Sequence, residues 1–494
     1  AGLSAALGAE PGLLEARLAQ RADREFVYLR RHMNPDLAAE VLAGDFPGVY
    51  SQREFRRFYP QGEVMAHVLG FTNIDDRGQE GLELAFDDWL TGTPGAKRVI
   101  RDRRGRIVEN VDLIRAAKPG RDLRLSIDRR IQYLAYRELK AALLEHGASS
   151  GSVVILDVTN GEILAMVNQP SYNPNSREGL DPSNQRNRAV TDVFEPGSVL
   201  KTFTAIAALE TGRYSPDTAF ETSPGFMMVA GHRVTDIRDF GTVSVTRMLT
   251  KSSNIVATKL ALDMPPEHQH DVLRRFGFGQ ATGSGFPGEA AGVLTAPNGW
   301  GTLHRTTISF GYGLSMTALQ LAQAYAAIGN RGVLTTPSFL YGAPPQQRTV
   351  IDPQLADTTI RMLETVTGPE GSAKAAVVPG FRVAGKTGTS RRAVAGGYQK
   401  RYISLFAGLI PASDPRFAMV VMINDPQGDN YYGGLVAAPV FGRVMEAALR
   451  VMNVPPDNIA QWLAAVPAAD TLHRFDEASA EALIDDGSLP QGAR

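Results

Sequence analysis

The chain has 494 residues, enough for two or three domains, and its 43% hydrophobic and 21% charged content is that of an ordinary globular protein. A formal net charge of −1 provides no global attraction to nucleic acid or to an anionic membrane surface. Cysteine is absent, which excludes disulfides, thiolate metal sites and a cysteine nucleophile.

The opening "AGLSAALGAE" has no initiator methionine and no basic-then-apolar leader, and no run of about 18 apolar residues occurs anywhere. The sequence reads as a trimmed or processed ectodomain whose membrane anchor lies outside it. Residues 1–120 alternate helical patterns such as "PGLLEARLAQRADREFVYLRRH" with the turns "GDFPGVYS" and "YPQGE", and resemble a scaffold more than an active site. Within them, "GQEGLELAFDDWLTGTPG" predicts a Gly-rich turn and an amphipathic helix. The basic run "RDRRGR" that follows is read as a solvated strand edge rather than a polyanion site.

A domain boundary falls at "AAKPGRDLRLSID", where a Pro-Gly turn and an alternating strand precede Asp128, placed to cap the helix "RRIQYLAYRELKAALLEHG". The second domain runs from 121 to 453, and 454–494 form an Ala-, Asp- and Pro-rich tail. "SGSVVILDVTNGEILAMVNQP" predicts a hairpin through the turn "TNG". Late strands are expected at "GFRVAGKTGTS", "YISLFAGLIP" and "RFAMVVMIND", before the helix "LVAAPVFGRVMEAALRVM"; helical segments, "SMTALQLAQAYAAIGNRG" among them, fill the middle. Strands at both ends with helices between them predict an α+β domain whose sheet is closed by distant parts of the chain.

The chemistry begins at "FEPGSVLKTFT". Ser198 starts a helix that is apolar nearly all round, the mark of a central buried helix, and Lys201 lies one turn on along the same face. Burial of that ammonium lowers its pKa and makes it a candidate base for a serine nucleophile. Taken alone, the local pattern reads rather as a helix cap with a lysine reaching to solvent.

Two further segments extend the pattern. "TKSSNIVATKL" carries Ser252, Ser253 and Asn254 ahead of a helix, and "VAGKTGTS" carries Lys386, Thr387, Gly388 and Thr389 on a strand. The ordered set Ser-x-x-Lys, Ser-x-Asn and Lys-Thr-Gly resembles that of the penicillin-binding proteins and serine β-lactamases. "GQEGLELAFDDWLTGTPG", "RNRAVTDVFEPGSVLKTFT", "ISFGYGLSMTALQLAQAYAAIGNRG" and "YYGGLVAAPVFGRVM" are similar to the class B, monofunctional transpeptidases, and within them to the division-specific D,D-transpeptidases of Gram-negative bacteria.

The resemblance covers about residues 20 to 455 and implies a smaller, non-catalytic pedestal ahead of a transpeptidase domain, the latter an antiparallel five-stranded sheet flanked by helices with an all-helical subdomain. It implies that Ser198 attacks the carbonyl between the two D-alanines of a peptidoglycan stem peptide, leaving an ester-linked acyl-enzyme that β-lactams also form. Lys201 then serves as base, Ser252 as proton relay, and Asn254 holds Lys201 and the substrate amide. Lys386 keeps the field positive, Thr387 and Thr389 bind the substrate carboxylate, and Gly388 gives the strand close access to the substrate backbone. The N–H groups of Ser198 and Thr389 form the oxyanion hole, and Tyr431 and Tyr432 are either walls of the cleft or plain packing. The resemblance further implies a periplasmic ectodomain of a bitopic inner-membrane protein at the septum, partnered by a lipid-II polymerase and other division proteins.

Two departures bear on the acceptor. Ser253 stands where class A β-lactamases have Asp, and no Glu-x-x-x-Asn follows Ser198, so water is poorly served and an amine acceptor is favoured. A β-lactamase, a D,D-carboxypeptidase, a β-lactam sensor and a division scaffold are the alternatives. No cofactor and no metal is expected: His268 and His270, in a "MPPEHQH" turn, are a poor pair without a third ligand. Tyr312 in "FGYG" is expected to support the core.

Overall fold

The computed structural model describes residues 2–102, 107–176, 181–394, 397–428 and 430–460. The chain divides into two compact units: Ala1–Gly62, Leu69–Leu123 and Asn173–Arg177 in the first, Glu63–Val68, Arg124–Tyr172 and Glu178–Arg494 in the second. Most of "RDRRGR" and most of the 454–494 tail lie outside the described residues. Among the described residues no helix is long and apolar enough to cross a membrane.

In the first unit a small core forms where Leu7, Leu14 and Val41 meet, flanked by Leu3, Leu29 and Met33. Helix α1 (Pro35–Ala43) supplies Val41 and is started by Asn34, whose side chain accepts the Asp36 N–H at 2.9 Å. The helical pattern expected from Pro11 onward is helix only over Leu13–Ala19. Beyond it "QRADRE" offers no apolar face to bury, and a short helix without tertiary packing is marginal. The single helix expected in "GLELAFDDWL" is two short ones, Gly81–Ala85 and Asp87–Leu90, broken at Phe86. Asp87 drives the break, since its Oδ1 accepts the Gly78 N–H at 2.9 Å and the Thr91 hydroxyl at 3.1 Å. Strands β1 (Ala96–Arg101) and β2 (Ile107–Arg115) form a two-stranded antiparallel ribbon.

The second unit opens on α2 (Arg129–Glu145), capped by Asp128, whose carboxylate accepts the N–H groups of Arg130 and Ile131. Its buried stripe of Ile131, Ala135, Leu139 and Ala142 follows the helical repeat. Strands β3 (Ser150–Asp157) and β4 (Ile163–Gln169) then make the expected hairpin. A 3-10 turn at Gly197–Leu200 leads into the central helix α3 (Lys201–Glu210). Around it lie the ribbon β5 (Phe226–Val229) and β6 (His232–Thr235), and helices α4 (Val245–Lys251), α5 (Asn254–Asp263) and α6 (Pro266–Arg275). Next come α7 (Ala318–Gly329) and α8 (Pro353–Thr367), then strands β7 (Ala384–Val394), β8 (Gly397–Ile410) and β9 (Phe417–Asn424), and finally α9 (Ala438–Val451).

The five strands form one antiparallel sheet in the order β7-β8-β9-β3-β4, so the first hairpin docks beside the last strands and β7 is left on an edge. Both faces are covered. A β-carbon on Gly408 would meet Phe441 of α9, whereas Leu409, next along β8, packs against Gly329 of α7. α3 is buried on nearly every side, with Phe203 edge-on to Phe276 and Phe278 at 4.9 Å and to Tyr325 at 5.8 Å. That packing fixes the start of α3, where the motifs meet.

Candidate active site

The turn ahead of α3 needs glycine. Gly197 has φ +56°, its N–H donates to Gly311 O at 3.1 Å, and a β-carbon there would stand 3.0 Å from Thr389 O. Ser198 lies inside this turn, behind the cap residue Pro196. Its Oγ lies 3.0 Å from Lys201 Nζ. Lys201 is 0% exposed and does not reach to solvent, which removes the helix-cap alternative for this pair.

Four oxygens surround Lys201 Nζ: Ser252 O at 2.6 Å, Asn254 Oδ1 at 2.7 Å, Ser198 Oγ at 3.0 Å and Ser252 Oγ at 3.2 Å. The first two can only accept. A neutral amine spends its two N–H groups on them and keeps its lone pair for a hydroxyl proton. Burial pushes the Lys201 pKa well down from 10.5, and the Lys386 charge pushes the same way, against a smaller opposing pull from Asp236. The orientation of Asn254 is fixed by its amide nitrogen, which donates to Thr235 O at 2.9 Å.

Ser252 ends α4 in the left-handed region, φ 59° and ψ 41°, a conformation that costs a non-glycine residue about 1 kcal/mol or more. There its carbonyl and hydroxyl both face Lys201, and the hydroxyl also accepts from Lys386 Nζ at 3.1 Å. One oxygen thus links the two lysines. Lys386 too is fully buried, its Nζ donating to Thr387 O at 3.1 Å, and desolvation lowers its pKa to about 7.

Edge strand β7 carries Lys386 to Thr389 past the turn that bears Ser198. The close approach that requires glycine at 388 is to that turn: a β-carbon would stand 2.7 Å from both Pro196 O and Val199 Cγ2. Glycine at 388 thus has a packing requirement of its own, which seats the strand on the serine turn. Thr389 Oγ1 accepts the Gly433 N–H at 3.0 Å, and Thr387 Oγ1 lies 2.8 Å from Ser372 Oγ. Tyr431 stacks on Tyr402 at 3.9 Å and on Tyr432 at 4.7 Å, and Tyr432 is half exposed. The pair therefore divides, Tyr431 packing on β8 and Tyr432 facing out.

Other expectations are corrected. Tyr312 is not in the core; it is partly exposed, edge-on to Tyr398 at 5.5 Å, with its hydroxyl accepting the Arg391 N–H. The histidines lie on α6 rather than in a turn: His268 Nε2 is 2.9 Å from Ala207 O, and the His270 ring packs on Trp300. Three residues around the cleft had no motif. Ser372 pairs with Thr387, Asp236 accepts from Ser253 Oγ at 2.6 Å, and Glu195 accepts from Gly313 N at 2.7 Å and Tyr398 OH at 3.1 Å. Burial raises the Glu195 pKa. The single signal for Glu195 was its place three residues before Ser198; Asp236 and Ser372 had none.

Residues 151–446 match the penicillin-binding protein transpeptidase domain and residues 4–125 the penicillin-binding protein dimerisation domain. The chain is 44% identical over 448 residues to peptidoglycan D,D-transpeptidase FtsI of Escherichia coli K12, covering 90% of this chain and 76% of the relative. It is 43% identical over 460 residues to the probable peptidoglycan D,D-transpeptidase PbpC of Pseudomonas aeruginosa, covering 92% and 81%. The apo structure of the TP domain of Burkholderia pseudomallei penicillin-binding protein 3 superposes with a TM-score of 0.63 at 40% identity, over 69% of this chain and 99% of that one. An active-serine acyltransferase architecture with this sheet and these motifs defines the class. The chain belongs to the class B penicillin-binding proteins, with a transpeptidase domain behind a dimerisation-type domain.

Proposed function

We propose that the protein cross-links peptidoglycan as a serine D,D-transpeptidase, acting through an acyl-enzyme at Ser198 that β-lactams trap. The observation that carries this is the 3.0 Å approach of Ser198 Oγ to an entirely buried Lys201 whose two N–H groups are taken by obligate acceptors.

Ser198 Oγ attacks the carbonyl carbon of the penultimate D-alanine as Lys201 Nζ takes its proton. The carbonyl oxygen becomes the oxyanion, received by the N–H groups of Ser198 and Thr389, whose backbones are brought together at Gly197. Each such donor is worth about 10² to 10³ in rate in other acyl-transfer enzymes. As the tetrahedral intermediate collapses, the C–N bond breaks and the departing amine receives a proton through Ser252 Oγ, which spans Lys201 and Lys386. D-Alanine leaves and the ester remains. An amine from a neighbouring stem then attacks the ester, and the same groups run the proton transfers in reverse.

The substrate carboxylate is assigned to Lys386, Thr387 and Thr389. Thr389 Oγ1 already accepts the Gly433 N–H, so its own O–H is left to donate. Tyr432 lines the cleft, and Tyr431 holds it there. We assign residues 1–120 to the pedestal and 121–453 to catalysis. On the strength of relatives named FtsI, we place the chain at the periplasmic face of the inner membrane at the septum, held by an anchor outside this sequence and working with a lipid-II polymerase and other division proteins.

Intact-mass measurement after benzylpenicillin tests the site. One adduct mapping to Ser198, stable for hours and absent from Ser198→Ala, is expected, together with turnover of a D-alanyl thioester. An adduct on another residue would sink the assignment, and rapid recovery of free enzyme would make water the acceptor.

A further inference from the structure

Asp236 belongs to no motif. It follows β6 directly, on a ribbon that carries none of the three catalytic segments. Yet its carboxylate takes three bonds from the turn that bears Ser252. Oδ2 accepts the Ser253 hydroxyl at 2.6 Å, while Oδ1 accepts the N–H groups of Asn254 at 2.5 Å and Ile255 at 3.1 Å. Ser253 is fully buried, and its Oγ also accepts the Val256 N–H at 3.2 Å, so Asp236 and Ser253 together cap the first turn of α5. The residue before Asp236, Thr235, orients the Asn254 amide.

This clamp acts where the left-handed Ser252 must be held. Three of the four oxygens around Lys201 Nζ belong to Ser252 and Asn254, on either side of the Ser253 that Asp236 grips. The charges facing Lys201 are those of Lys386 from β7 and Asp236 from the segment after β6, with opposite effect. Neighbouring cations are engaged elsewhere: Lys251 and Arg247 of α4 with Glu370 at 3.1 and 3.5 Å, Arg233 over the Phe226 ring and Arg238 over that of Phe240.

We propose that Asp236 is a positioning residue for acylation, whose carboxylate locks the Ser252–Asn254 turn against Lys201 and whose negative charge sets the field at that amine. This deepens the reading of Lys201 as the base and depends on it.

The pH dependence of the acylation rate by a fluorescent penicillin tests it on the second-order constant. Asp236→Asn keeps the size of the side chain and an acceptor for the two N–H groups but removes the charge that favours protonated Lys201. Its acid limb should move to lower pH by about half a unit or more. Asp236→Ala also loses the bonds and should acylate roughly 10²-fold more slowly. An unmoved acid limb in Asp236→Asn, or a normal rate in Asp236→Ala with an unchanged melting temperature, overturns the proposal. Lys386→Met separates the two readings, because losing that positive charge should move the Lys201 limb to higher pH. If the limb moves there and not in Asp236→Asn, Lys201 stands as base and Asp236 falls. If it moves in neither, the assignment of Lys201 falls, and the proposal with it.

Discussion

Gly388 and Pro196 are packed backbone against backbone: a β-carbon on Gly388 would stand 2.7 Å from the Pro196 carbonyl oxygen, inside the closest separation such atoms adopt. The edge strand and the serine turn are thus registered by an absent side chain, and Gly197 repeats the arrangement from the other side against Thr389 O at 3.0 Å. A methyl group at 388 must push β7 away from Ser198, widening the oxyanion site. Gly388→Ala should lower the acylation rate about 10²-fold, since ångström-scale misplacement of reacting groups costs that much. Stopped-flow measurement with a fluorescent penicillin reads it, and an unchanged rate would show that the strand can retreat without harm.

The two buried lysines are a stability liability. A lysine whose folded pKa is about 7, against an ordinary 10.5, binds its proton less tightly when folded. Stability therefore rises with pH between those values, and the full cost of the buried charge is present below about 7. Lys386→Met keeps the volume and removes the charge. Its melting temperature at pH 7 should exceed that of the parent by about 2–6 °C, on the usual relation of stability to melting temperature for domains of this size, while acylation is slowed but still measurable. Calorimetry at pH 7 checks this, and a lower melting temperature would mean that the bonds to Ser252 and Thr387 outweigh desolvation.

The sheet and the three motifs were legible because each announces itself locally. The turn "TNG" between two apolar runs made the β3–β4 hairpin readable, Asp128 marked the start of α2, and the apolar α3 together with the two later motifs pointed to a buried Lys201 that its local pattern alone did not establish. What escaped was set by tertiary partners. Asp236 matters through three bonds to residues 17 to 19 positions later, and Ser372 through one hydroxyl 15 positions away. Nothing in "GLELAFDDWL" reveals that Asp87 will turn back to Gly78 and break the helix. Tyr312 was expected in the core, whereas it is partly exposed and its ring partner, Tyr398, lies on a strand far along the chain.

Tyr431 and Tyr432 should separate in their effects. Tyr431 lies 3.9 Å from Tyr402 at an interplanar angle of 11°, and its carbonyl accepts the Ser404 hydroxyl at 2.7 Å. Losing that ring should lower the melting temperature by more than about 1 °C, through the lost stacking on Tyr402, and loosen the Gly433 bond to Thr389. Tyr432, half exposed, should leave the melting temperature within about 1 °C and weaken substrate capture alone, as surface substitutions usually do to stability. Denaturation and thioester kinetics on Tyr431→Ala and Tyr432→Ala test the division, and equal destabilisation by both would refute it.

Acylation should show a bell-shaped dependence on pH. Lys201 must be neutral to take the Ser198 proton, so the rate climbs as pH rises through its depressed pKa. Lys386 must be charged to hold the substrate carboxylate and to keep Lys201 deprotonated, so the rate declines as pH rises through a value near 7, moved upward when an anionic ligand is bound. Because the amines share Ser252 Oγ, the two limbs belong to the pair rather than to either residue. Lys386→Arg carries a charge that is not lost below pH ~12, so whatever its absolute rate, its alkaline limb should vanish from the accessible range. Acylation constants for parent and variant between pH 5 and pH 10, on a scale set by the ordinary ranges of these groups, decide the matter. A variant that keeps the parent's alkaline limb would assign that limb to another group and leave the positive field of Lys386 without its kinetic role.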